Sequence, residues 1–131
     1  MKWLPESKTF ISTHSTGHSV VMSTTSENTG MKPSELILSA LAGCASVDVV
    51  DILAKKRTPL SFLKVQLSAE QEADPPWTFR KILMHFILKG ENLSHKKVQQ
   101  AIELSEEKYC SVASTLRGRA EIITSFEILE D

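Results

Sequence analysis

The sequence predicts an α+β domain with the element order β-β-α-β-β-α-β. Three observations carry that expectation. Two pairs of β-rich segments are each joined by a short turn signal, Ser15-Thr16-Gly17 and Asp74-Pro75-Pro76. A long apolar stretch starts at Pro33 and runs to about Lys56. A second stripe of helical period, from about His95 to about Leu116, leads into a last alternating segment. Hairpins joined in this way favour mostly antiparallel pairing.

The first two strands are expected at Trp3 to Ser12 and His18 to Thr25, the second weighted by Val20, Val21 and Met22. The polar run Ser26-Glu27-Asn28-Thr29-Gly30 breaks regular structure. Pro33 suits the first turn of a helix, where its missing N–H costs nothing. Glu35 complements the positive end of that helix, and Lys55, Lys56 and Arg57 complement the negative end. Thr58-Pro59 then stops it. Strands follow at Leu60 to Glu70 and Trp77 to Lys89. In the second of these Ile82, Met84, Phe86 and Leu88 alternate onto one face. Ser94 is placed to cap the second helix. Val98, Ala101, Ile102, Tyr109, Val112, Ala113 and Leu116 form its apolar stripe. Ala120 to Leu129 is the last strand.

The first helix spans about 35 Å at 1.5 Å per residue. A compact chain of 131 residues has a radius of gyration of about 14 Å. Its first four turns are apolar nearly all round, which means cover on most sides. One small domain supplies too little cover, and a second copy of the chain supplies the rest. A homodimer is therefore expected, with this helix buried at its centre.

At 131 residues the chain reads as a single domain, 1–131, able to fold without a covalent staple. A net charge of −1 provides no broad basic field, so neither nucleic acid nor an anionic membrane surface is an expected partner. Asp48 and Asp51 interrupt the apolar stretch, each costing about 2.5–3.5 kcal/mol near a bilayer centre. That favours a buried helix over a spanning one. The segment Met1 to Lys8 has no apolar run of signal-peptide length, so a cytoplasmic location is expected, where resting thiols stay reduced.

Chemistry is concentrated in two cysteines. Cys44 lies inside the first helix and Cys110 inside the second. They are too far apart in sequence for a CxxC redox motif, so they act together only if the fold joins them. A joined pair can run a thiol redox cycle in which one sulfur attacks and the other resolves. Ile37, Ala40, Leu41, Val47, Asp48 and Asp51 share the face of Cys44. Asp48 and Asp51 would raise its pKa by like-charge repulsion. Its mid-helix position denies it the positive end of its own helix. A reactive thiolate there needs a cation from elsewhere, and otherwise Cys44 is a small buried hydrophobe. Arg117, Arg80 or a histidine are the cations available near Cys110. His14, His18, His85 and His95 show no metal-ligand spacing, and no GxGxxG, P-loop or GxSxG motif occurs. No metal and no cofactor are expected.

The run Lys32-Pro33-Ser34-Glu35-Leu36 through Ala42-Gly43-Cys44, with Ser46-Val47-Asp48-Val49-Val50 behind it, resembles the OsmC/Ohr family, closest to its YhfA-like branch. Glu107-Lys108-Tyr109-Cys110-Ser111-Val112 is similar to the segment carrying that family's second cysteine. The resemblance covers nearly the whole chain. It implies an intertwined homodimer with two long central helices between sheets. It also implies a thiol-dependent reductase of organic hydroperoxides, with Cys44 as the attacking thiol, Cys110 as the resolving thiol and an external thiol as reductant. Peroxide-active members carry an N-terminal arginine, held by a glutamate ten positions before the first cysteine. Here Ser34 stands at that position with Glu35 one later, and no arginine precedes Arg57. Glu35 is the candidate for an ion-pair or hydrogen-bond role near the helix start. His14 and His18 are the candidates for the missing cation. Ser111 stands where many members have proline. The alternative reading is a dimer of the same fold that holds a small apolar ligand at its interface.

Overall fold

The computed structural model describes residues 1–130 and divides into two compact units, the first ending at Ser39 and the second starting at Ala40. The first unit holds a three-stranded antiparallel sheet of β1 (Lys2–Leu4), β2 (Thr9–Thr13) and β3 (Ser19–Met22). The strand expected from Trp3 to Ser12 is therefore two strands. Pro5 has no N–H to give a ladder, and the chain turns through Lys8 at φ 48°. Gly17, at φ 86°, closes the hairpin between β2 and β3. The loop beyond β3 folds around Ser23, whose buried Oγ accepts from the N–H groups of Thr29 at 3.0 Å and Gly30 at 2.9 Å. Gly30 admits no side chain, since a Cβ there would lie 2.8 Å from the Val21 carbonyl oxygen.

Helix α1 (Pro33–Lys55) begins in the first unit and continues in the second. Its end is sealed by Thr58, whose N–H and buried hydroxyl both donate to the Leu53 carbonyl, at 2.9 and 3.2 Å. Arg57 takes the left-handed conformation that ends many helices. The second unit contains a sheet in the order β4 (Leu60–Gln71), β5 (Phe79–Gly90), β6 (Glu121–Ile128). β4 and β5 pair antiparallel, Leu63 opposite Leu88 and Leu67 opposite Met84. β5 starts two residues later than expected because Trp77 is left-handed, at φ 53°. β6 joins the other edge of β5 in parallel, with Ile82 opposite Ile122 and Phe86 opposite Phe126. A parallel partner needs a crossover, and the segment between β5 and β6 supplies it.

That crossover is the chief departure from the expected order. The single helix foreseen from His95 to Leu116 is α2 (His95–Leu104), a π-helical turn (Ser105–Tyr109) and α3 (Ser111–Leu116). Ser94 caps α2 as expected, accepting from the Lys97 N–H at 3.3 Å. The alternation of β5 is borne out, with Ile82, Met84, Phe86 and Leu88 all buried. Val98, Ala101 and Ile102 of α2 join them in the core of this unit. From α1 a single stripe is buried, Leu41, Ala45, Val49 and Leu53. On the opposite side of the same helix, Ala40, Gly43, Val47, Val50 and Ala54 are exposed.

Candidate functional site

The site is built in the second unit from two pieces of chain. α1 contributes Cys44 and Asp48, one helical turn apart and so stacked on one face. The other piece is the seam between α2 and α3. There the helix widens, and the Cys110 N–H donates to the Ser105 carbonyl, five residues back, at 2.8 Å. Such widened turns hold one residue more than an α-turn and occur often at functional sites. Cys110 then leaves helical space, with φ −74° and ψ 101°, and caps α3. Its sulfur accepts from the Ala113 N–H at 3.3 Å. Cys110 is thus a cap at a break, not the mid-helix residue the sequence suggested.

Two contacts join the pieces. The buried Ser105 donates its hydroxyl hydrogen to Oδ2 of Asp48 at 2.9 Å. Beside it, the sulfurs of Cys44 and Cys110 and a carboxylate oxygen of Asp48 lie within 4.8 Å of one another. Cys110 and Ser105 are buried, whereas Cys44 and Asp48 are half-buried. Both thiols are free.

The two thiols are polarised in opposite directions. Burial pushes the Cys44 thiol up, but hydrogen bonds from the Cys110 side chain, the Val112 N–H, and the hydroxyl and N–H of Ser111 outweigh it, so its pKa lies below the ordinary thiol value. Ser111 and Val112 open α3, and the first N–H groups of a helix have no partner within it. For Cys110, burial and then the hydrogen bond to Cys44 push the pKa up to about 11, against the pull of the Ala113 N–H. The expected repulsion from Asp48 and Asp51 does not set the outcome at Cys44. Nor does the activation come from a cation. It comes from uncharged donors on a helix other than its own.

The arginines considered for this role are engaged elsewhere. The Arg117 guanidinium donates to the Glu106 carbonyl, and Arg80 pairs with Glu72 at 2.6 Å. Arg117 also lines a cleft of about 610 Å³ with Glu106, Arg119 and Glu121. His14 and His18 bond Thr16 in the first unit. Glu35 occupies the first turn of α1, in the first unit, with its side chain exposed. Among the described residues its carboxylate makes no hydrogen bond or ion pair. A smaller cleft of about 280 Å³ reaches the site at Asp48 and is also lined by Asp51, Lys55, Lys56, Leu104 and Tyr109.

Two contributors carry no motif that marks them in the sequence: Ser105, which donates to Asp48, and the Ser111 and Val112 donors that open α3. Ser105 sits five residues before Cys110, a spacing that matches no regular helix face. The cue available was Ser111 beside Cys110, a polar pair of the kind that starts a helix.

A family profile described as OsmC-like protein matches residues 26–125. Protein YhfA of Escherichia coli strain K12 is 37% identical over 129 residues, covering 98% of this chain and 96% of that protein. The crystal structure of a hypothetical protein from Aquifex aeolicus VF5 superposes with a TM-score of 0.87 at 30% identity, over 99% of this chain and 94% of that one. The organic hydroperoxide resistance protein OhrB of Bacillus subtilis shares the fold, with a TM-score of 0.58 at 16% identity over 92% of this chain and 96% of that one.

Proposed function

The chain belongs to the family of OsmC-like proteins, and from that membership we propose that it is a thiol-dependent reductase of organic hydroperoxides acting in oxidative stress defence. The observation that carries this reading is the opposite polarisation of two adjoining thiols. Cys44, with its pKa lowered by the Cys110 thiol, the Val112 N–H and the hydroxyl and N–H of Ser111, is the nucleophile. Cys110, held protonated and buried at its side, is the reserve thiol. A fold shared with an organic hydroperoxide resistance protein supports the substrate class.

The Cys44 thiolate attacks the distal peroxide oxygen and the O–O bond breaks. The departing alkoxide takes a proton and leaves as the alcohol, and Cys44 becomes a sulfenic acid. The Cys110 sulfur then attacks the Cys44 sulfur. The disulfide forms, and the hydroxyl leaves as water with the Cys110 proton. An external dithiol reduces the disulfide in two exchanges and is itself oxidised. Glu35 is assigned to an ion-pair or hydrogen-bond role completed in the assembled protein.

The working form is a homodimer in the cytoplasm. α1 supports the dimer, because it buries one stripe and leaves Val47 63% and Val50 40% exposed on the other side. By length and composition α1 is also long and apolar enough to cross a membrane. A second copy covers the small-residue face Ala40, Gly43, Val47, Val50 and Ala54 without taking Asp48 and Asp51 into lipid.

The test is to treat the reduced protein with tert-butyl hydroperoxide and map its thiols by mass spectrometry. A Cys44–Cys110 disulfide is expected, formed with one equivalent of alcohol. Two free thiols after such treatment rule the reductase out and leave the dimeric binding protein for a small apolar ligand.

A further inference from the structure

We infer that the reduced site is also a binding site for a thiophilic divalent cation of the zinc class, held by the sulfurs of Cys44 and Cys110 and a carboxylate oxygen of Asp48. The three donor atoms already converge, each within 4.8 Å of the others. A tetrahedral Zn²⁺ with Zn–S bonds of about 2.3 Å holds two sulfurs about 3.8 Å apart. The contraction needed is at most about 1 Å, within reach of side-chain rotation at two cysteines and an aspartate.

The donor set and its setting suit such an ion. Two thiolates with one carboxylate select zinc-like metals over magnesium or calcium, which prefer all-oxygen shells. Cys44 and Asp48 share the one-turn spacing by which helices commonly present two ligands to one ion. Ser105 donates to Asp48 Oδ2 at 2.9 Å, which orients the carboxylate as an outer hydrogen bond orients a ligand. Among the described residues, no lysine, arginine or histidine forms an ion pair with Asp48, so its charge is not already neutralised. Three protein ligands leave a fourth position for water. Asp48 borders the cleft of about 280 Å³, which gives that position a path to solvent. Binding releases the two thiol protons to solvent and changes no oxidation state. The cation and the disulfide exclude each other, because each needs both sulfurs.

The inference requires only the reduced thiols, not peroxide turnover. The full-length reduced protein is titrated with Co²⁺, whose thiolate charge-transfer and tetrahedral d–d bands report the ligands, and with Zn²⁺ against a chromophoric chelator. One ion per chain with a two-thiolate spectrum is expected. Cys44→Ser and Cys110→Ser each abolish the charge-transfer band of the pair. Asp48→Asn weakens Zn²⁺ by at least about tenfold, and Ser105→Ala by about 10-fold, at the low end for an orienting partner. Asp48→Cys keeps the ion and raises the charge-transfer intensity, which guards against a loss caused by misfolding. Absence of the spectrum in the wild-type protein, or an affinity indifferent to Asp48→Asn, overturns the inference. A protein that binds Co²⁺ in this way yet keeps free thiols under hydroperoxide upholds it while removing the reductase reading. Disulfide formation without Co²⁺ binding does the reverse.

Discussion

Ser105 and Asp48, 57 positions apart, are joined by a hydroxyl-to-carboxylate hydrogen bond of 2.9 Å. The bond ties the widened turn to α1 next to the thiols. Replacing Ser105 by Ala leaves a half-buried carboxylate without this donor. A loss of about 1–3 kcal/mol in stability is expected, read from urea unfolding. Asp48→Asn keeps an oxygen to accept from Ser105 and costs less. Equal losses from the two variants would contradict this account.

The Cys44 thiolate leans on Ser111. Its pKa is lowered, so the thiolate fraction and the rate of peroxide attack rise with pH and level off below the ordinary thiol range. Ser111→Ala removes one hydrogen bond to a charged sulfur, worth about 1.5 kcal/mol, and slows oxidation about tenfold below the plateau. Stopped-flow oxidation across pH checks both the plateau and its upward move in the variant.

Cys110 behaves in the opposite way. With its thiol pushed up to about 11, disulfide closure gains speed with each step of pH well beyond the plateau of the first reaction. Two separate pH profiles are therefore expected, one for peroxide consumption and one for disulfide appearance. In Cys110→Ser the first persists, and the sulfenic acid on Cys44 accumulates and reacts with a dimedone probe. Coincident profiles would argue against the assigned order of the thiols.

Glu106 carries a cost at neutral pH. Burial raises its carboxyl, the Arg117 charge lowers it only in part, and Oε1 is buried with no hydrogen-bond partner among the described residues. A folded pKa above the unfolded one means the native chain holds more protons across that window. Stability therefore falls as pH rises through it, and the whole cost is present above the folded value. Glu106→Gln raises the melting temperature at pH 7, with the gain fading toward the ordinary glutamate value of 4.5. Thermal scans over pH, in which the gain grew on acidification, would reverse the sign and the explanation.

The outer face of α1 is the expected seam between copies. Val47 is 63% exposed on it, and Val47→Glu places a charge where a second helix packs. Sedimentation should show dimers for the native chain and monomers for the variant. A variant as dimeric as the native chain would move the interface elsewhere.

Most of the architecture was legible because it rests on period. The alternation Ile82, Met84, Phe86, Leu88 marks a half-covered strand, and Pro33 with Thr58-Pro59 brackets α1 almost to the residue. The convergence of Cys44 with Cys110 was legible only through likeness to a family. The break at Cys110 was hidden because Ser105-Glu106-Glu107-Lys108-Tyr109 contains neither glycine nor proline and keeps helical composition. With the break went the Val112 and Ser111 donors at the start of α3, which join the Cys110 thiol in stabilising the Cys44 thiolate. Charge counting on α1 alone pointed the other way, toward repulsion by Asp48. The early end of β1 had its own signal, Pro5 followed by the polar Glu6-Ser7-Lys8, which outweighs the apolar residues on either side.

The five-residue turn from Ser105 to Tyr109 acts as a phase setter. Removing any one of its residues would restore an ordinary helix and swing Cys110 by about 100° about the axis, away from Cys44. Substitutions at the exposed Glu107, Lys108 and Tyr109 are mild by comparison, because the backbone count of the turn and the Ser105 hydroxyl keep the two sulfurs facing. Length here is the conserved quantity to expect, and a relative one residue shorter between Ser105 and Cys110 would have to relocate its second thiol.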